Sequence, residues 1–157
     1  MESISGKIII DDKIILGNLV FNNKVIEIVN DKSTNNENFI LPGFIDLHCH
    51  GGNGFDTMEG LESIVNLSKY HLENGTTTIF PTTVTASYSD TFKALKGLYE
   101  YINRNKFQIN IEGIHLEGPF INPNKLGAQP PLTQLPNLDF IRNLQKEAPI
   151  RIVTLAP

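Results

Sequence analysis

The sequence predicts an α/β chain: a partial (β/α)8 TIM barrel of about four βα units, preceded by a small antiparallel β-sandwich segment. Three observations predict it. Residues 7–29 are rich in Ile and Val, with polar breaks at Asp11-Asp12 and Asn22-Asn23. From Leu41 onward, β-branched runs alternate with amphipathic helical patterns. At the changeover stands Leu41-Pro42-Gly43-Phe44-Ile45-Asp46-Leu47-His48-Cys49-His50-Gly51-Gly52, which carries two histidines at strand spacing. The expected division is therefore 1–40 for the N-terminal part of the small β domain and 41–157 for the first half of the barrel.

Taken in order, residues 7–10, 13–20 and 24–29 read as three short strands joined by tight turns. Residues 30–38 are polar and read as a surface loop. A sheet this small cannot close a core alone. Residues 44–50 read as a buried strand, ended by two glycines that let the backbone turn. Leu61, Ile64, Val65 and Leu72 mark a helix over 60–74, with Gly75 placed to cap it. Thr76 to Phe80 is β-branched and strand-like. Ser87 and Asp90 suggest a capping box for a helix whose face carries Phe92, Leu95, Tyr99 and Ile102. A third strand is expected over 109–115, a loop with five prolines over 116–136, a helix over 137–147 and a fourth strand over 150–155. The order β-α-β-α-β-α-β is that of a parallel sheet with right-handed crossovers. A complete barrel needs about 250 residues, so residues 41–157 supply roughly half of one.

Composition narrows the function. The 157 residues are 40% hydrophobic and 19% charged, with net charge −4, a pI near 5.5 and no basic cluster. Neither nucleic acid nor an anionic membrane is an expected partner. The apolar runs are too short to span a bilayer, and no signal peptide is visible. One cysteine excludes an internal disulfide framework. A soluble, cytoplasmic protein is expected.

The chemistry sits at two strand ends. Side chains alternate along a strand, so His48 and His50 share a face, with Asp46 one pleat deeper on the same side. Their Cα atoms stand roughly 6.5 Å apart, within reach of one metal ion. Neutral imidazole suits zinc, iron and related divalent metals. Two ordinary histidines near a strand end would give the same pattern. His115 and Glu117 close the third strand, again on one face, and Gly118-Pro119 turns the chain where Glu117 is presented. Glu117 is a candidate ligand alongside His48 and His50, and His115 and Asp46 are candidate supporting groups. His71, on a helix, and Cys49, facing the helix layer, read as structural.

These residues carry a family resemblance. Leu41 to Gly52, with Gly54, Asp56 and Thr57, resembles the opening of an amidohydrolase-superfamily barrel. His115-Leu116-Glu117-Gly118-Pro119-Phe120, followed by Gly127-Ala128-Gln129, closely resembles the N-acetylglucosamine-6-phosphate deacetylases. Gly75-Thr76-Thr77, Pro81-Thr82, Thr85 and the closing Val153-Thr154-Leu155-Ala156-Pro157 fit the same family. The resemblance implies a urease-like barrel with a small β-sandwich, and metal ligation by His48, His50 and Glu117. Its metal would be zinc or iron, with two ions in some members. It implies sugar-phosphate contacts at Ala128 and Gln129, and hydrolysis of the acetamide to glucosamine 6-phosphate and acetate. A small-molecule amino-sugar phosphate is the implied partner, and a homo-oligomer the implied state of a complete enzyme.

The family also requires two further histidine ligands and an aspartate acting as general base and acid. The chain has four histidines in all, and none of its aspartates matches that aspartate. The expectation is an incomplete N-terminal portion without activity of its own. A PHP-type phosphoesterase also opens with Asp-x-His-x-His, but it leaves the 40 preceding residues and His-Leu-Glu-Gly-Pro unexplained. Cyclic amidohydrolases commonly use a carboxylated lysine at the end of the fourth strand, and residues 150–157 contain no lysine. A non-catalytic half-barrel serving as an assembly module is the remaining alternative.

Overall fold

Residues Met1–Pro42 and Gly43–Pro157 cluster into two separate units. The computed structural model describes residues 1–33, 35–104 and 109–156. Thr34 of the expected surface loop and Pro157 of the closing segment lie outside them.

The first unit is a four-stranded sheet of order β3-β2-β1-β4. Its strands are β1 (Glu2–Ile10), β2 (Lys13–Phe21), β3 (Val25–Asn30) and β4 (Phe39–Ile40). β1 and β2 pair antiparallel from Glu2↔Phe21 to Ile10↔Lys13, and the chain reverses at Asp11, whose φ is 51°. Two features differ from the sequence reading. β1 starts five residues earlier than expected, because the polar run Glu2 to Gly6 pairs with the apolar end of β2. β4 was not expected at all; it joins parallel to β1 through Lys7↔Phe39 and Ile8↔Ile40.

The second unit carries β5 (Phe44–Cys49), β6 (Gly51–Gly52), β7 (Phe55–Asp56), α1 (Leu61–Glu73) and β8 (Thr76–Pro81). It continues with α2 (Tyr88–Asn103), β9 (Asn110–Ile111), β10 (Ile114–Ile121), α3 (Leu138–Gln145) and β11 (Ile150–Ala156). β5, β8 and β9 form one parallel sheet, β10 and β11 another, and a parallel bridge Thr82↔His115 links the two strand sets. The long parallel strands thus follow one another in chain order, each separated from the next by a helix.

The helices begin where the side chains supply caps. Ser87 Oγ accepts from Asp90 N at 3.1 Å, and Asn137 Oδ1 accepts from Asp139 N and Phe140 N. The Asp90 carboxylate bonds back to the Ser87 hydroxyl, where the expected capping box would have used the backbone N–H. α1 ends at Asn74, followed by Gly75 at φ 90°, a left-handed position that glycine reaches without strain. Ile64 and Leu67 of α1, Leu95, Leu98 and Tyr101 of α2, and Phe140 and Leu144 of α3 bury against Ile79, Ile111, Ile114 and Leu116 of the strands. The buried residues of α2 are Thr91, Ala94, Leu95, Gly97, Leu98 and Tyr101. Tyr99, expected among them, is exposed, because the packed stripe runs one position earlier in the helical repeat.

Three further expectations are corrected. Gly51-Gly52 is not a turn but half of a two-rung hairpin with Phe55-Asp56, and the turn itself is Asn53-Gly54, both at positive φ. The third strand does not stop at His115. β10 runs on through Gly118-Pro119 to Ile121, shifting register so that Ile121 meets Ala156. Gly118 makes this passage possible: its φ is 74°, and a Cβ there would stand 2.2 Å from Thr85 Oγ1. Finally, β5 is bulged. Asp46 pairs with Ile79 and Cys49 with Pro81, three steps against two. The extra residue breaks the alternation, so Asp46 does not share the face of His48 and His50; its carboxylate lies with Cys49 and His71.

Candidate metal centre

β5 ends at Cys49 and delivers His48 and His50, while β10 delivers Glu117 beside them. Glu117 Oε2 lies 2.8 Å from His48 Nε2 and 3.5 Å from His50 Nε2. The two Nε2 atoms are 3.0 Å apart. The structure therefore brings His48, His50 and Glu117 to one point, although 66 residues of sequence separate His50 from Glu117.

The surrounding bonds orient each donor. His50 Nδ1 lies 3.2 Å from the Thr82 carbonyl oxygen, which can only accept. The proton therefore sits on Nδ1 and the lone pair is left on Nε2, facing Glu117. Glu117 Oε1 accepts from Gln129 Nε2 at 2.7 Å, and Gln129 Oε1 accepts from Thr85 N at 2.8 Å. The Thr83 hydroxyl accepts from Glu117 N and donates to Glu117 O, fixing the backbone there. Of the two residues expected to contact sugar phosphate, Gln129 thus sits on the carboxylate itself. Ala128 is exposed on the same loop.

His115 is 5% exposed and packs edge-on to His48, ring centroids 4.9 Å apart. Its Nδ1 donates to the Leu47 carbonyl at 3.1 Å and its Nε2 accepts from the Thr154 hydroxyl at 2.7 Å. Burial lowers its pKa below the usual imidazole value, although the Leu47 carbonyl pulls in the opposite direction. It is a neutral buttress whose two nitrogens are already used. The sequence reading gives Thr83 and Thr154 no roles of their own; their signal is the run Pro81-Thr82-Thr83-Val84-Thr85 from the end of β8 and the threonine two residues before the end of β11.

Donor chemistry fits a metal. Glu117 Oε2 is buried and has no donor aimed at it in hydrogen-bonding geometry, despite His48 Nε2 at 2.8 Å. His50 Nε2 and Glu117 Oε2 both present lone pairs here, and with His48 Nε2 they stand close enough to repel unless a proton or cation lies between them. Nitrogen and oxygen donors about 2.0–2.2 Å from a shared zinc ion would occupy similar relative positions. Were all three to bind one tetrahedral ion, one position would stay open, as in catalytic rather than closed structural sites. The second cluster, Asp46, Cys49 and His71, lies on the other side of β5. Burial, reinforced by the Asp46 charge, pushes the Cys49 thiol up to about 11.

No protein-family model matches the chain. Among curated proteins, an N-acetylglucosamine-6-phosphate deacetylase of Bacillus subtilis (strain 168) is 38% identical over 128 residues, which cover 77% of this chain and 32% of the relative. An N-acetylgalactosamine-6-phosphate deacetylase of Escherichia coli O157:H7 is 32% identical over 123 residues, covering 75% and 32%. The crystal structure of N-acetyl-D-glucosamine-6-phosphate deacetylase from Mycobacterium smegmatis superposes with a TM-score of 0.83 at 25% identity, over all of this chain and 47% of that one. The chain spans about a third of the length of the curated relatives it matches. By sequence and by fold alike, it is a homologue of the N-acetylglucosamine-6-phosphate deacetylase family.

Proposed function

We propose that this chain supplies the metal-binding first portion of a deacetylase that hydrolyses the acetamide of an N-acetylated amino-sugar 6-phosphate. The observation that carries the reading is the convergence of His48 Nε2, His50 Nε2 and Glu117 Oε2, with the third atom buried and lacking a donor. We further infer that the second unit is the first half of a (β/α)8 barrel and the first unit part of a β-sandwich. Parallel strands succeeding one another in chain order, with a helix between each pair, support this.

In this reading His48, His50 and Glu117 hold a divalent zinc or iron ion. Such an ion supplies hydroxide at neutral pH and polarises the amide carbonyl. The chain's own residues prepare for that. Gln129 and Thr85 aim the Glu117 carboxylate, Thr82 fixes the His50 tautomer, and His115 stays uncharged beside His48. Ala128 and Gln129 lie on the loop that would meet the sugar phosphate. Among the described residues, no fourth carboxylate or imidazole joins this cluster. Proton transfer to the leaving amine therefore has no agent here, and the 157-residue chain is proposed to be inactive alone. A galactosamine epimer is the second reading, favoured by the 32% identity to an N-acetylgalactosamine-6-phosphate deacetylase.

A chimera tests this. The chain replaces the matching segment of the B. subtilis relative, and acetate release from both epimeric sugar phosphates is measured. The reading expects metal-dependent release, at least tenfold lower in the Glu117→Gln chimera by the order of effect expected at metal sites (about 10–100-fold). Full activity in that variant, or release by the 157-residue chain alone, would sink it.

A further inference from the structure

The unexplained group in this molecule lies behind β5. By strand alternation Cys49 points to the opposite side from its neighbours His48 and His50. The bulge at 46–49 brings Asp46 to that side as well. α1 lays His71 against the same spot. One carboxylate oxygen of Asp46, Cys49 Sγ and a ring nitrogen of His71 all lie within 4.8 Å of one another. The Gly51 carbonyl oxygen joins them, 3.1 Å from His71 Nε2 and 3.4 Å from Cys49 Sγ. The ring can come this close because residue 52 is glycine; a Cβ there would stand 3.0 Å from His71 Nε2.

We propose that Asp46, Cys49 and His71, with the Gly51 carbonyl, form a second metal site for a zinc-class divalent cation, distinct from the cluster of His48, His50 and Glu117. The donor set is one sulfur, one imidazole nitrogen and one carboxylate oxygen, the three ligand types zinc favours, with the Gly51 carbonyl oxygen within reach as a fourth. His71 Nε2 faces both a carbonyl oxygen and a sulfur at 3.1 Å, and a single N–H cannot point fully at both. A cation between them would use every lone pair at once. Zinc–sulfur and zinc–nitrogen bonds of about 2.3 and 2.0–2.1 Å ask the Cys49–His71 pair to open by about half an ångström. Binding would place the His71 ring proton on Nδ1 and release the Cys49 thiol proton to solvent. With four protein ligands and no open position, the site is structural. It would tie α1 to the end of β5, and so hold the backbone that presents His48 and His50.

This inference does not rest on the deacetylase reading, and a spectroscopic label separates the two sites. Cys49 is the only cysteine, whereas the first cluster offers nitrogen and oxygen alone. The full chain, freed of metal with a chelator, is titrated with cobalt(II) without oxygen. A thiolate-to-cobalt charge-transfer band in the near ultraviolet is expected to grow and saturate at one equivalent, then vanish when zinc displaces the cobalt. Cys49→Ser is expected to remove that band, while the visible absorption of cobalt at the other cluster remains. His71→Ala is expected to weaken the titration by about tenfold or more. Absence of the band from the unmodified chain at saturating cobalt would overturn the proposal without recourse to any variant. An unchanged titration in a folded His71→Ala chain would do the same.

Discussion

Glu117 is gripped at both of its oxygens, and the two grips differ in kind. Oε1 accepts a bond from Gln129, whereas Oε2 faces two imidazole nitrogens. Gln129 is itself set by the Thr85 N–H, which takes its amide oxygen and so turns its NH2 toward the carboxylate. Partners of this kind fix a ligand's direction, and losing one costs about 10–100-fold in metal affinity. Gln129→Ala is accordingly expected to lower zinc affinity by that factor, measured by calorimetry, with the far-ultraviolet circular dichroism unchanged. Zinc affinity equal to that of the unmodified chain would mean that Gln129 does not position Glu117. Gln129→Glu is a harsher probe, because it sets a second carboxylate against Oε1. It is expected to weaken zinc binding more than the alanine does.

At the scale of elements, the close passage of α2 over the start of α1 turns on Gly97. A Cβ at 97 would stand 2.8 Å from Gly60 Cα and 2.8 Å from Leu61 N, both backbone atoms that cannot swing aside. Two effects oppose each other in Gly97→Ala. Helix propensity gains about 1 kcal/mol, while overpacking typically costs about 1–3 kcal/mol. Because the contact is with backbone, the cost wins. A net loss of up to about 2 kcal/mol is expected in urea unfolding, and a gain in stability would refute the packing argument. Most of these elements could be read from sequence, since periods of two and 3.6 are local signals. Ile64 and Leu67 announce α1, and Thr76 to Phe80 announce β8. What escaped was register. Nothing in Asp46-Leu47-His48-Cys49 reveals that β5 gains a residue on β8, so simple alternation places Asp46 on the wrong side of the strand. Gly118-Pro119 has the composition of a turn, yet Gly118 at positive φ lets β10 bend past Thr85 and continue. Asn53-Gly54 is a hairpin-turn dipeptide whose signal is masked by the two glycines before it. His48, His50 and Glu117 meet because they lie at strand ends, where spacing alone sets the face. The role of Gln129 against Glu117 depends on a loop path that no local pattern encodes.

At the scale of the whole molecule, β5 is one of the open parallel edges among the described residues, and β11 is another. β5 pairs with β8 on one side only, at the edge of its sheet. Phe44, Ile45 and Leu47 on that strand are 63%, 65% and 54% exposed. An edge strand with unpaired backbone groups and large apolar side chains is a template for another strand. Covering an isoleucine or leucine fully is worth about 1.5–3 kcal/mol, so Ile45 and Leu47 together give a strong reason to associate. The chain is therefore expected to self-associate, with an average mass in sedimentation that rises with concentration. Ile45→Lys places a charge in the middle of that edge, away from the core cluster, and is expected to shift the distribution toward monomer. Zinc binding at His48, His50 and Glu117 serves as the control, since those side chains are untouched. If the unmodified chain sediments as a monomer at every concentration, the exposed edge is not sticky and this argument fails. If it associates but Ile45→Lys associates equally, the contact runs through some other surface.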